Sequence, residues 1–217
     1  MGKLKGGILG PVTGLVGAVV GSVMGGQNIV KKRPSCYNDL GSQSQLDQRS
    51  AFANCLIWYK VLASSAVLGF KERLAIHSAY NAFMAENIGT GVITSTPAWG
   101  ALKVAKGSLI NPNFSMATTA VDSTLKFDWE DDSDGSVKLA TDKVVAVIIE
   151  PISKAVHISN GAKTRADETL TVTIPAAFEG LDVQTYCFVI RADGKKASNS
   201  LRTGHGIAGS DLAGSVQ

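Results

Sequence analysis

The sequence predicts an α+β fold, because the spacing of its apolar residues changes twice along the chain. Residues 6–30 contain eight glycines and no charged residue. From about residue 44 to 88, apolar residues recur at intervals of three and four, which is typical of amphipathic helices. From about residue 102 the interval becomes two, and turn-forming residues separate short runs, which indicates antiparallel strands. We therefore predict a glycine-rich N-terminal β arm or hairpin, a helical hairpin and a C-terminal antiparallel β-sandwich.

The opening segment, residues 1–35, is predicted to form extended strands that bend at glycines. Its β-branched residues favour strands, and its glycines permit tight turns and close approach of another backbone. Such an arm can pair within its own sheet or donate strands to a neighbouring subunit. The residues predicted to form an assembly interface are Val12, Val16, Val19, Val20, Val23, Ile29 and Val30.

A membrane-spanning interpretation of residues 6–30 stays open beside the strand interpretation. The segment is 25 residues long, and about 20 apolar residues cross a bilayer as a helix. Gly17, Gly21 and Gly25 are also spaced like a helix-contact stripe. The glycines and Pro11 disfavour a helix, so we prefer strands. The segment lacks a compact leucine-rich core, and a signal peptide is not expected.

Two antiparallel helices are predicted next. The first begins at Ser44 as N-cap and presents apolar residues such as Ile57 at helical spacing. The second runs from about Ala66 to Asn87, where Gly89 is expected to end it.

The third region contains eight candidate strands that are separated by turn signals. They are residues 102–107, 114–120, 123–129, 142–149, 154–158, 168–174, 184–191 and 197–203. Several resemble strands of a fibronectin type III or immunoglobulin-like module. Residues 125–129 end in a candidate core tryptophan, residues 144–149 form an apolar central run, and Tyr186 stands where a tyrosine corner is expected to bond to upstream backbone.

We therefore divide the chain into four parts. They are a glycine-rich apolar arm (1–35), a helical hairpin with linker (36–99), an immunoglobulin/fibronectin III-like β-sandwich (100–204) and a C-terminal tail (205–217). Charge differs between the halves: residues 1–99 carry nine Lys/Arg against four Asp/Glu, and residues 100–217 carry twelve against fourteen. This asymmetry indicates different partners for the two halves or a head-to-tail contact between copies.

A series of landmarks over residues 1–204 resembles one family. In order, the landmarks include Gly14–Gly21, Ile29-Val30-Lys31, Ala79–Met84, Lys106–Leu109, Thr169–Pro175 and Ser198-Asn199-Ser200. Together they resemble an uncharacterised domain-of-unknown-function family of Bacteroidota and their phages. That family has no established activity, so the resemblance implies no catalytic or binding residues.

The sequence offers no pattern typical of a catalytic, cofactor or metal site. Cys36, Cys55 and Cys187 form no Cys-x-x-Cys pair, and the last two lie among apolar residues as small core residues do. There is no nucleophile elbow and no phosphate loop. We therefore predict a protein that is not an enzyme and uses no cofactor.

Two charged clusters leave ligand hypotheses open. The acidic loop 128–135 has the carboxylates that Ca²⁺ prefers, but it lacks the spacing of an EF-hand, and a solvated turn is the preferred interpretation. Residues 31–33 (Lys-Lys-Arg) could contact phosphates of nucleic acid or lipid. Without an aromatic stacking partner, nucleic acid is not expected as a partner.

From these features we predict a non-enzymatic structural or assembly protein of a large homo-oligomeric particle. A phage virion component is favoured: a tail, collar, capsid decoration or fibre attachment protein, made in the host cytoplasm. Its partners would be copies of itself and other particle proteins. Two alternatives remain, a bacterial cell-surface or extracellular binding module and a membrane-active protein that acts through residues 6–30.

Overall fold

A computed structural model gives the fold and describes residues 2–4, 12–35, 41–73, 77–88, 97–119 and 124–207. These residues form helices and antiparallel sheets, so the predicted α+β class is confirmed. The chain divides into two compact units, Met1–Leu46 and Asp47–Gln217. The predicted C-terminal tail, residues 205–217, lies largely outside the described ranges, and so does Cys36.

The first unit contains a four-stranded antiparallel sheet. Its strands are β1 (Gly2–Leu4), β2 (Gly14–Val16), β3 (Val19–Met24) and β4 (Gln27–Lys32), in the order β1-β4-β3-β2. Gly25 and Gly26 both have positive φ in the two-residue connection from β3 to β4, as a hairpin turn of this length requires. The prediction of strands bent at glycines is confirmed for β2–β4, and residues 14–32 do not form a membrane-spanning helix.

Helix α1 (Gln43–Gly69) begins earlier and ends later than the sequence predicts. Its N-terminus follows Ser42 rather than Ser44, because the Ser42 carbonyl accepts the N–H of Leu46 and the Gln45 side chain accepts the N–H of Ser42. The predicted start of the second helix at Ala66 is wrong, since α1 continues through that position without a helix breaker. A second helix does end at Asn87 as predicted, and Gly89, which was expected to end it, lies outside the described residues. A Cβ on Gly69 would lie 2.8 Å from the Val104 carbonyl oxygen, so only glycine lets α1 approach that segment.

Helix α2 (Ala79–Asn87) is short and well capped. Ser78 accepts the N–H of Asn81 at 3.2 Å through its hydroxyl, which satisfies one free amide of the first turn. His77 therefore precedes α2 and does not lie on a helix, contrary to the prediction.

The second unit contains two antiparallel sheets. One has the order β11-β10-β7-β8, and the other has the order β5-β6-β9. Their strands are β5 (Ser115–Thr119), β6 (Thr124–Asp128), β7 (Lys143–Glu150), β8 (Ala155–Thr164), β9 (Thr169–Thr173), β10 (Asp182–Ile190) and β11 (Leu201–Ile207).

The strand predicted at residues 102–107 is wrong. Backbone groups of this segment bond to the side chains of Asn87 and Ser200, where a strand would bond to the backbone of a neighbouring strand. The Asn87 amide donates to the Lys103 carbonyl and accepts the Lys103 N–H, both at 3.0 Å. Ser200 Oγ accepts the N–H of Val104 at 3.0 Å. The segment remains apolar because Leu102 and Ala105 are buried against the helices.

The four-stranded sheet of the second unit is covered on both faces. Along β7, Val145, Val147 and Ile149 pack in a cluster with α1 and α2. The alternate residues Val144, Ala146 and Ile148 pack with β6 and β9 of the other sheet. The second unit is therefore built in three layers. The four-stranded sheet is the central layer, with the two helices on one face and the three-stranded sheet on the other.

Tyr186 of β10 bonds to distant upstream backbone. Its hydroxyl donates to the carbonyl oxygen of Trp99 at 2.6 Å, whereas a tyrosine corner bonds a few residues upstream. The bond thus fastens the segment that follows the helices to the central sheet.

Candidate functional site

The N-terminal sheet separates the predicted interface residues onto opposite faces. The register places Val19 opposite Val16 and Lys32, and Val23 opposite Asn28. Because side chains alternate along a strand, one face carries Val16, Val19, Val23 and Val30, which we call the valine face. Val20 and Ile29 lie on the other face.

Val12 crosses the valine face at its centre. A Cβ on Gly21 would lie 2.0 Å from the Val12 carbonyl oxygen and 3.2 Å from a Val12 methyl group. Only glycine at position 21 leaves room for the Val12 backbone, because any side chain there would overlap it.

The valine face is largely open to solvent. Val16 is 60% exposed, Val23 is 55% exposed and Val19 is 37% exposed. Among the described residues of the first unit, Ile29 is the single buried hydrophobic side chain, at 8% exposure. A small sheet needs an apolar face packed against something for stability, so this surface has the character of an interface.

Sequence reasoning missed two exposed residues of the same sheet. Leu15 and Met24 lie on the face of Val20 and Ile29, and both are exposed. The sequence could have revealed them, because side chains alternate along a strand. Residues 15, 20 and 24 therefore lie on the opposite face from residues 16, 19 and 23.

The basic residues lie at one end of this sheet. Lys32 is opposite Val19 and so belongs to the valine face, while Lys31 lies on the other face. The Arg33 N–H donates to the Ala18 carbonyl at 2.8 Å. Cations and exposed aliphatic groups thus share one surface. The phosphate-contact hypothesis for residues 31–33 remains a prediction.

In the second unit, a buried arginine holds the acidic loop between β6 and β7. Arg165 is fully buried, and its guanidinium pairs with Asp132. It also donates to the Ile110 carbonyl at 2.6 Å and lies 3.8 Å from the buried Asp142 carboxylate. Asp142 in turn lies 3.4 Å from Arg191. The network joins four chain segments, those of Ile110, of the β6–β7 connection, of Arg165 and of Arg191.

Within the loop, the Asp134 carboxylate is hydrogen-bonded by the loop's own backbone. Asp134 Oδ1 accepts the N–H groups of Ser136, Lys138 and Val137 at 2.8–2.9 Å. These bonds favour the ionised form and lower the pKa of Asp134 to about 2. Burial raises the pKa of Asp132, but hydrogen bonds from Lys138 and Arg165 outweigh it and leave that pKa below its ordinary value.

This arrangement is that of a self-bonded turn. Among the described residues, no group of three or more His, Cys, Asp or Glu is placed to hold a metal ion. Calcium binding by residues 128–135 therefore gains no support from the geometry.

The outer surface of the loop combines acidic and aliphatic groups. Glu130 and Asp131 are exposed, and so are Ile110 and Val137. The Arg165 bond to Ile110 and an Arg191 bond to the Val137 carbonyl at 2.8 Å fix the backbone beneath them. We call the surface of Ile110, Glu130, Asp131 and Val137 the acidic platform.

A cleft of about 600 Å³ lies beside α2. Its charged groups are largely paired with one another or with backbone: Glu86 binds Lys103 at 2.9 Å and Lys106 at 2.5 Å, and Glu72 accepts the N–H of Ser108 at 2.8 Å. Burial raises the pKa of Glu86, but the two lysines outweigh it and lower that pKa overall. The cleft is thus lined by structural ion pairs.

One comparison with known proteins identifies the family. Residues 11–204 match a family of unknown function, DUF6266. The chain belongs to the DUF6266 family. The sequence-based prediction of a family without established activity over nearly the whole chain is confirmed. No curated protein matches the chain.

The remaining reactive side chains of this DUF6266 protein are dispersed. Cys55 and Cys187 are buried, as predicted, and burial raises the pKa of the Cys55 thiol to about 11. His77 precedes α2, whereas His157 lies in β8 and His205 in β11. These three histidines occupy separate elements of the described chain.

By length and composition, α1 is apolar enough to cross a membrane, with a mean hydropathy of 1.4 over its most apolar window. Its inner residues Trp58 and Leu62 are buried in the cluster that includes the central sheet. Of that window, 28% is buried, and Phe52, Ile57 and Val67 on the same helix are exposed.

Proposed function

We propose that this DUF6266 protein is a non-enzymatic structural protein that assembles with copies of itself through its N-terminal sheet. The observation that carries the proposal is the exposed valine face. Val16 and Val23 are each more than half exposed, while the first unit buries little apolar surface of its own. Buried apolar area stabilises by about 25 cal/mol per Å², so covering this face with another subunit would stabilise the sheet.

The proposed assembly is a phage particle, in which the protein would serve as a tail, collar, capsid decoration or fibre attachment component. The resemblance to a family of Bacteroidota and their phages supports this choice. The two packed sheets of the second unit support an immunoglobulin-like description, a module that occurs with many functions. The paired charges of the cleft beside α2 support a role other than catalysis.

The test weakens the valine face without changing its shape. In the variant Val16→Thr with Val23→Thr, threonine keeps the β-branched form that suits a strand but adds a hydroxyl that opposes burial. We expect the wild-type protein to form large assemblies in light scattering and electron micrographs. The variant should shift to smaller species at the same concentration.

A matched control is Ile152→Thr. Ile152 is 85% exposed in the turn between β7 and β8, where Glu150 accepts its N–H at 2.7 Å. This variant should assemble like the wild type. A wild-type protein that remains monomeric at every concentration would contradict the proposed function and would favour a cell-surface binding module.

A further inference from the structure

The two units carry opposite charge. Residues 1–46 hold five Lys/Arg against one Asp, and residues 47–217 hold sixteen Lys/Arg against seventeen Asp/Glu. In the first unit, Lys32 and Arg33 lie together at the end of β4. Complementary charge on two surfaces of one chain favours contact between different surfaces of neighbouring copies.

The acidic platform matches the N-terminal sheet in two respects. Ile110 and Val137 offer exposed aliphatic side chains, and Glu130 and Asp131 offer exposed carboxylates beside them. The valine face offers the same aliphatic chemistry, with the cation Lys32 in place of carboxylates. Each surface therefore has an apolar part and a charged part, and the charges are opposite.

The backbone of the platform is also held by hydrogen bonds within the chain. The Arg165 network and the three N–H bonds to Asp134 hold its loop in one conformation. A preformed surface loses less conformational entropy on binding than a loop that must first be ordered.

We propose that the acidic platform receives the N-terminal sheet of a second copy of this chain. The valine face would cover Ile110 and Val137, and Lys32, which lies on that face, would pair with the carboxylates of Glu130 and Asp131. The inference rests on the proposed function and names the partner surface for it. Because two different surfaces meet, the contact is heterologous, and repetition gives rings or filaments.

Charge reversal tests the pairing directly. One variant carries Lys32→Glu, and a second carries Glu130→Lys and Asp131→Lys. We expect each variant alone to need at least tenfold more protein than the wild type for half-assembly. An equal mixture of the two should assemble at close to the wild-type concentration, because a reversed sheet then meets a reversed platform.

The control variant Lys60→Glu makes the same change of charge as Lys32→Glu at an exposed position elsewhere and should assemble normally. Urea midpoints for all variants report folding separately. If the wild type assembles but the mixture fails to restore assembly, or the reversed variants assemble normally, the platform inference is wrong and the proposed function stands. A wild type that never assembles contradicts both.

Discussion

Arg165 is a fully buried cation, and it lies beside two carboxylates, Asp132 and Asp142, of the connection between β6 and β7. The variant Arg165→Ala would leave Asp132 with Lys138 as its remaining cation. It would leave the buried Asp142 with Arg191 at 3.4 Å and the Leu139 N–H at 3.1 Å. Removing one member of a buried ion pair costs about 3–5 kcal/mol, because the remaining charge stays desolvated. We expect a loss of that size in the free energy of unfolding, measured by urea titration.

The comparison variant for this prediction is Lys126→Ala. Lys126 pairs with Asp128 at 3.0 Å, and both side chains are exposed, so the loss should be below about 1 kcal/mol. Equal losses in the two variants would mean that Arg165 contributes no more than a surface pair does.

The sequence predicted the burial of some single residues and not of others. Trp129 was predicted as a core tryptophan, and it is buried with its indole N–H donating to the Arg165 carbonyl at 2.7 Å. Arg165 itself gave no signal, because one arginine has no periodicity. Its burial depends on Ile110, Asp132 and Asp142, which only the fold brings together.

At the scale of elements, strands were predictable where their backbone is paired with another strand. β6, β7 and β9 lie close to their predicted positions because turn residues bound each of them. Residues 102–107 have similar apolar residues, but Asn87 and Ser200 satisfy their backbone. The apolar pattern is the same in both cases, and only the hydrogen-bond partners distinguish a strand from this segment.

The acidic loop is expected to make stability depend on pH through Asp134. Its pKa is lowered from the ordinary 3.8 to about 2 by N–H donors, of which Ser136 is the strongest. A lowered pKa means that ionised Asp134 stabilises the folded loop above pH 4, and this contribution is lost as pH falls towards 2. In Asp134→Asn, which keeps an acceptor oxygen but cannot titrate, thermal midpoints should decline less steeply across that interval.

Asp167 also has a pKa lowered to about 2, by bonds from the Thr164 backbone and side chain. Part of the acid sensitivity should therefore persist in Asp134→Asn and decrease further when Asp167→Asn is added. The idea fails if the midpoint of Asp134→Asn follows the wild-type curve at every pH.

At the scale of the whole molecule, the sequence could not show what covers each face of the central sheet. Residues 144–149 form an unbroken apolar run, which is what burial on both faces produces. Such a run carries no alternation that would assign one side to the helices and the other to the second sheet. The predicted segments 36–99 and 100–204 therefore contain parts of one three-layered unit.

This shared sheet predicts that the layers of the second unit unfold together. Trp58 and Trp99 pack edge to face on the helical side, with their ring centroids 5.3 Å apart. Trp129 lies in the cluster between the sheets. In Trp58→Phe with Trp99→Phe, fluorescence reports the sheets alone, and in Trp129→Phe it reports the helical side. Within each variant, the urea midpoints from fluorescence and far-UV circular dichroism should coincide.

An earlier fluorescence transition in Trp129→Phe alone would show that the helices unfold while the two sheets stay folded. Because β7 supplies alternate residues to both clusters, losing the helices would expose Val145, Val147 and Ile149 together, and that exposure is the physical reason to expect one transition.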